Sequence, residues 1–130
     1  MAFTDFRLSY LGDENIATRF NSEARLGRLP YTEVEDDDIN VSPTNDYLIA
    51  FTVLTGARDA NLPALTDVAI GKSYIVVDEA DAAGTHDITI IPDGSDTING
   101  AADLVIAKDR GFAEFYRGTT EWIILSKDII

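Results

Sequence analysis

From Tyr47 onward the chain alternates short runs of β-branched and aromatic residues with tight-turn residues. Tyr47, Ile49, Phe51 and Val53 recur at every second position, the period of a pleated strand with one buried face. Tyr74-Ile75-Val76-Val77, Ile88-Thr89-Ile90-Ile91, Leu104-Val105-Ile106, Phe112 to Tyr116 and Trp122-Ile123-Ile124-Leu125 follow. Gly71, Ala83-Gly84, Asp93-Gly94, Asn99-Gly100, Gly111 and Arg117-Gly118 separate them. Glycine and asparagine tolerate the positive φ that tight hairpins require. Short strands at such intervals predict an all-β fold, a compact antiparallel β-sandwich or barrel-like domain over residues 46–130. No helical period appears after residue 47, which argues against a parallel βαβ architecture.

Residues 1–45 read differently, as an extended N-terminal arm. Phe3, Phe6, Tyr10, Phe20 and Tyr31 are scattered without a sustained period. Residues 13–26 suit a short helix, with Asp13 as N-cap and Ile16 and Phe20 one turn apart. Glu33 to Asp38 is an acidic run, and like charges this close favour an exposed, extended segment. Ser42-Pro43-Thr44-Asn45-Asp46 is turn chemistry and sets the boundary between arm and β domain.

Composition narrows the function classes. The 130 residues suffice for one ordinary domain, and a hydrophobic fraction of 45% predicts a packed core. No apolar stretch is long enough for a membrane-spanning helix, so no membrane partner is expected. The first residues lack a basic segment followed by an apolar one, so no secretory leader is read there and synthesis in the cytoplasm is expected. With no cysteine there is neither a disulfide framework nor a thiolate metal site. The formal net charge is −13, and residues 1–30 contribute none of it: Arg7, Arg19, Arg25 and Arg28 balance Asp5, Asp13, Glu14 and Glu23. So acidic a body repels phosphate backbones, and nucleic acid is not an expected partner. The plainest reading of that acidity is a solvated surface.

No motif carries a catalytic reading. Gly71-Lys72-Ser73 resembles the end of a phosphate-binding loop, but Thr66 stands where that loop needs glycine, and a strand follows where it needs a helix. His86 is the single histidine, and no Gly-x-Ser-x-Gly elbow accompanies it. Asp78, Glu79, Asp81, Asp93, Asp96 and Asp103 gather around the turns. Paired carboxylates hydrolyse glycosides and grouped ones bind calcium, but the EF-hand spacing is missing and solvated turns account for them. Asn40-Val41-Ser42 fits a glycosylation sequon, which means little without a secretory leader. Trp122, Phe112, Phe115 and Tyr116 suggest either a sugar-stacking platform or, more commonly, core and interface packing. The chain is therefore expected not to be an enzyme, and to need no cofactor and no metal.

Four segments of the last two-thirds resemble a module common in small structural proteins, head fibres and tail-fibre ends of tailed bacteriophages. They are Leu62-Pro63-Ala64, Gly71 to Asp78, the run from Asp87 through Pro92-Asp93-Gly94 to Asn99-Gly100, and Gly118-Thr119-Thr120-Glu121-Trp122. The central run is the most specific, and the terminal Gly-Thr-x-x-Trp supports it. Pro92 ends a strand because it lacks the ladder donor, and Ile98 is the expected buried residue of the tight loop that follows.

The resemblance implies a virion-surface location and, commonly, homotrimers, and it brings no catalytic site. A short chain that starts at its own methionine has no room for a fibre shaft, so a capsid decoration (cement) or short head-fibre protein is expected. On that reading the arm meets the major capsid protein through Phe3, Phe6, Arg7, Tyr10, Arg19, Phe20, Arg25 and Arg28, while Trp122, Ile124 and Phe115 form the oligomer interface. The alternative is a fibre protein that binds a host surface receptor or glycan.

Overall fold

A computed structural model describes residues 29–130, and the predicted helix over 13–26 lies outside them. Nine strands form nearly all of the regular structure: β1 (Tyr31–Glu35), β2 (Ile39–Asn40), β3 (Leu48–Val53), β4 (Arg58–Asn61), β5 (Ser73–Asp78), β6 (Ile88–Ile91), β7 (Leu104–Ile106), β8 (Phe112–Arg117) and β9 (Trp122–Asp128). The only helical turn among the described residues is a 3-10 turn at Leu65–Asp67. The all-β expectation holds.

The strands form two sheets, ordered β1-β3-β5-β8-β9 and β2-β4-β6-β7. The chain crosses from one sheet to the other after each of its first five strands. Each return to a sheet then runs in the same direction as before, so β1, β3 and β5 are parallel neighbours, as are β2, β4 and β6. The first six strands thus make three superposed turns of a coil, one strand per sheet in each turn. Tyr31, Leu48 and Ile75 lie side by side across these turns. Antiparallel β8 and β9 extend one sheet beyond β5, and β7 extends the other beyond β6.

This corrects the antiparallel, barrel-like expectation. The sheets are mixed, and neither closes: β1 and β9 are free edges of one, β2 and β7 of the other. Parallel neighbours ordinarily need a helical crossover; here a strand of the opposite sheet makes the crossover. The boundary at residue 46 also moves, because β1 and β2 belong to the sheets and the folded unit includes Tyr31 onward.

Period-two burial places the core. In β5, Tyr74, Val76 and Asp78 are buried and the residues between them are half-buried. Ile49 and Phe51 of β3, Ala113 and Phe115 of β8 and Trp122 of β9 join Ala60, Ile88, Ile90 and Ile106 of the other sheet in one apolar cluster. The Trp122 ring meets Phe115 and Tyr74 edge-on, with centroids 5.7 Å away in each case. Fully burying side chains of this kind contributes roughly 1.5–3 kcal/mol each.

Asn99-Gly100 makes the tightest turn. Ile98 and Ala101 exchange backbone hydrogen bonds of 2.9 Å across it, and both central residues have positive φ, 47° and 81°. That is the mirror-image turn whose twist suits a hairpin. Gly100→Ala is expected to lower stability by about 1 kcal/mol, although open space surrounds the position, because the backbone conformation itself penalises a Cβ. Gly56→Ala, also in open space but without positive φ, serves as control. Urea unfolding of the two variants checks this, and equal midpoints would contradict it.

Candidate functional site

The segments that carry the phage resemblance come from distant parts of the chain and converge at one end of the fold. Ile98, the tight-loop residue, is 1% exposed and bridges Trp122 as well as Ala101. Asn99 N–H donates to the Trp122 carbonyl, and Trp122 N–H donates to the Thr97 carbonyl. Glu121 Oε1 accepts from the Thr97 hydroxyl at 2.8 Å and from the Gly100 amide at 2.7 Å. Asn99 Oδ1 accepts from Ile124 N–H at 3.0 Å. The terminal Gly-Thr-Thr-Glu-Trp segment is therefore the receptor for the Thr97–Ala101 loop.

Two further ties bring in the other segments. Asp96 Oδ2 accepts from Leu65 N–H at 3.1 Å, and Arg117 Nε donates to the Leu65 carbonyl at 3.0 Å. Arg117 also donates to the Gly118 and Thr119 carbonyls, fixing the turn before β9. Gly71 N–H donates to the Arg117 carbonyl, and Arg117 N–H donates to the Lys72 carbonyl. Gly71-Lys72-Ser73 thus starts β5 beside the end of β8, and no helix follows it.

Lys72 belongs to a small polar cluster at this same end. Its ammonium lies 4.3 Å from the centre of the Tyr74 ring and donates to the Asp46 carbonyl. Burial lowers its pKa, partly offset by the nearby Asp46 carboxylate. Tyr74 donates its hydroxyl to the Ser42 carbonyl at 2.9 Å, and burial pushes its pKa up to about 12. Asp46 accepts from the Thr32 hydroxyl and from Ser42 N–H. Every partner here is a protein group that anchors the 41–47 connection, and nothing in the cluster aligns a nucleophile with a base.

At the opposite end carboxylates again hold loops. Asp36 sits at φ 55°, accepting from the Thr55 hydroxyl and amide and from Arg58, which ties the β1–β2 link to the β3–β4 link. These bonds, those from Thr55 first, hold its pKa down at about 2 against an ordinary 3.8. Asp78 is fully buried, and its Oδ2 accepts from the amides of Ala82, Ala83 and Arg110. Among the described residues no group of three or more histidines, aspartates or glutamates is placed to hold a metal ion.

The residues singled out by sequence fall into two sets. Phe3, Phe6, Arg7, Tyr10, Arg19, Phe20, Arg25 and Arg28 lie outside the described residues. Trp122 and Phe115 are 0% exposed, and Ile124 packs half-buried against the same core. The rings of Trp122 and Phe115 fill the interior of a single chain, so a second copy cannot use them as an interface. The four aromatics cannot form one platform either: Phe115 and Trp122 face inward, while Phe112 and Tyr116 alternate to the other face of β8. His86 sits in the link before β6, its N–H bonded to the Ala82 carbonyl. Glu121, Arg117, Asp36 and Asp46 escaped the sequence reading. Only Glu121 carried a signal, its place inside the Gly-Thr-x-x-Trp segment.

No protein-family model matches the chain, and no curated protein matches it.

Two outcomes follow from these ties. Glu121→Ala leaves the Gly100 amide and the Thr97 hydroxyl without their acceptor, an expected loss of about 1–2 kcal/mol. Glu121→Gln keeps an oxygen acceptor and is expected to lose less. Hydrogen exchange at the Gly100 amide reports it, and an unchanged rate in Glu121→Ala would count against the tie. For Asp36 the folded pKa lies below the unfolded one, so on acidification the unfolded chain takes up its proton first. The stabilisation is complete above about pH 4 and is lost as pH falls toward about 2. The stability gap between the wild type and Asp36→Asn should therefore narrow over that interval, as urea midpoints measured at stepped pH would show. A constant gap would refute the assignment.

Proposed function

We propose that the chain is a decoration (cement) protein of a tailed-bacteriophage capsid, acting without catalysis. The observation that carries the reading is the resemblance of the Asp87–Gly100 and Gly118–Trp122 segments to phage virion modules. Their mutual docking through Ile98, Glu121 and Trp122 supports treating them as one structural unit. On this reading the two sheets, which share one core, are the layers of a sandwich, and copies assemble as homotrimers on the major capsid protein.

The charge distribution supports an orientation. Residues 1–30 are neutral in sum and carry four arginines, whereas the remainder carries the whole −13. The arginine-bearing segment faces the shell, and the acidic body projects outward, where like charge keeps copies and particles apart. A protein that binds the assembled shell but not its free subunits stabilises the shell by mass action. The polar ties of the convergent end serve architecture, which suits a non-enzymatic role.

The test is to mix the purified protein with matched shells that lack it and to image them by electron microscopy. Regular three-fold density over the shell is the expected result. Bare shells would overturn the reading and turn attention to a fibre protein that binds a receptor or glycan.

A further inference from the structure

The two sheets differ on the faces they turn away from the core. Cross-strand partners share a face, so the register maps each outer surface. On the four-stranded sheet, Asn40 lies beside Asn61, their side-chain amides hydrogen-bonded at 3.3 Å, and Asp59 lies beside Thr89. That is ordinary solvent-facing chemistry. On the five-stranded sheet, Leu48 pairs with Ile75, Val77 with Phe112, and Tyr116 with Ile123. These six are half-buried and lie on the face opposite to Ile49, Val76, Ala113 and Phe115, which are 0% exposed. A contiguous apolar sheet face of this kind marks an interaction surface.

We propose that this outer face is the docking surface for residues 1–28 of the same chain. Covalent placement is the first argument. Leu29-Pro30 leads directly into β1, the edge strand of this same sheet, and Leu48 N–H donates to the Pro30 carbonyl at 3.1 Å, fixing the junction. A segment tethered there meets the face at high effective concentration. Reach is the second. Five strands span about 19 Å, and 28 residues cover about 40 Å even at a helical rise.

Chemistry is the third argument. Residues 1–28 contain Phe3, Phe6, Tyr10, Ile16 and Phe20, matching an apolar face. They also hold four arginines in a chain whose other residues include only two. Glu33 and Glu114 lie on the same face as Leu48, Ile75 and Val77 and are suited to meet those arginines. A second copy would instead bring another excess of 13 negative charges to a face already flanked by acids. The proposal does not depend on the decoration reading: shell binding tests that reading, and the experiment here uses the free protein.

The experiment is limited trypsin digestion of the full chain, followed by mass spectrometry for cleavage after Arg7, Arg19 and Arg25. Slow cleavage is expected in the wild type. The double variant Ile75→Thr/Val77→Thr keeps β-branched residues in the strand and makes the face polar. It should be cleaved at least about tenfold faster, because proteolysis tracks the population of the open form. Phe6→Ser/Phe20→Ser leaves the sheet untouched and guards against a folding defect. It should show the same acceleration together with increased binding of an apolar dye. Wild-type cleavage as fast as in both variants would overturn the proposal. So would a wild-type oligomer, seen by light scattering, that the sheet variant dissolves without any change in cleavage; that result would assign the face to a second copy.

Discussion

Alternation between the sheets governs how this chain must hold together. No strand before β7 is hydrogen-bonded to the strand that precedes or follows it in sequence, since β1 pairs with β3, β2 with β4, β3 with β5 and β4 with β6. Local hairpins therefore cannot nucleate the first half of the fold. Each pairing there closes a loop that contains a strand of the other sheet, and such non-local contacts slow folding. Only β6–β7 and β8–β9 pair in sequence order. They form the border of the stack beyond β5 and β6, which makes them the natural starting scaffold for the parallel turns.

The same alternation explains the acidity of the body. Chain crossing between sheets leaves main-chain amides at both ends without ladder partners, and helices are not there to absorb them. Carboxylates do so instead. Asp36 takes the amide of Thr55, Asp38 that of Asp59, Asp96 that of Leu65, Asp109 that of Gly84, Glu121 that of Gly100, and Asp78 takes three. A carboxylate accepting an amide is a charge-assisted bond, stronger than a neutral one. Much of what reads as a solvated surface charge in the composition is therefore loop fastening. The positive-φ aspartates Asp36 and Asp81 fit this pattern, because a short polar side chain tolerates that conformation and can bond locally.

Strands with a strong apolar alternation were legible in the sequence. β3, β5, β6, β7, β8 and β9 coincide with the β-branched and aromatic runs, Ile98 is buried as its tight loop required, and β6 stops at Pro92. β1, β2 and β4 were not legible as strands. Arg58-Asp59-Ala60-Asn61 buries only Ala60, and within β1 only Val34 is buried, so neither offers an alternating signal. Strand direction was hidden for another reason. Spacing and turn residues describe where a strand ends, but not whether the chain next returns to the same sheet or crosses to the other. Chemistry was legible in reverse, through missing motifs. The fastening carboxylates could not be separated from the other acids, because their roles depend on amides brought from distant segments.

Superposed turns have a consequence for length. Each turn of the coil offers the next an identical pattern of main-chain donors and acceptors, and the links between turns vary freely, short between β3 and β4 and long between β4 and β5. A stack of this kind is extensible. One more turn inserted between the first and the second would pair on both sides and bury its inward residues in a lengthened core, leaving the β7–β9 border and the convergent loops unchanged. The size of such a particle component is therefore set by the number of windings, independently of the ends that meet its surroundings.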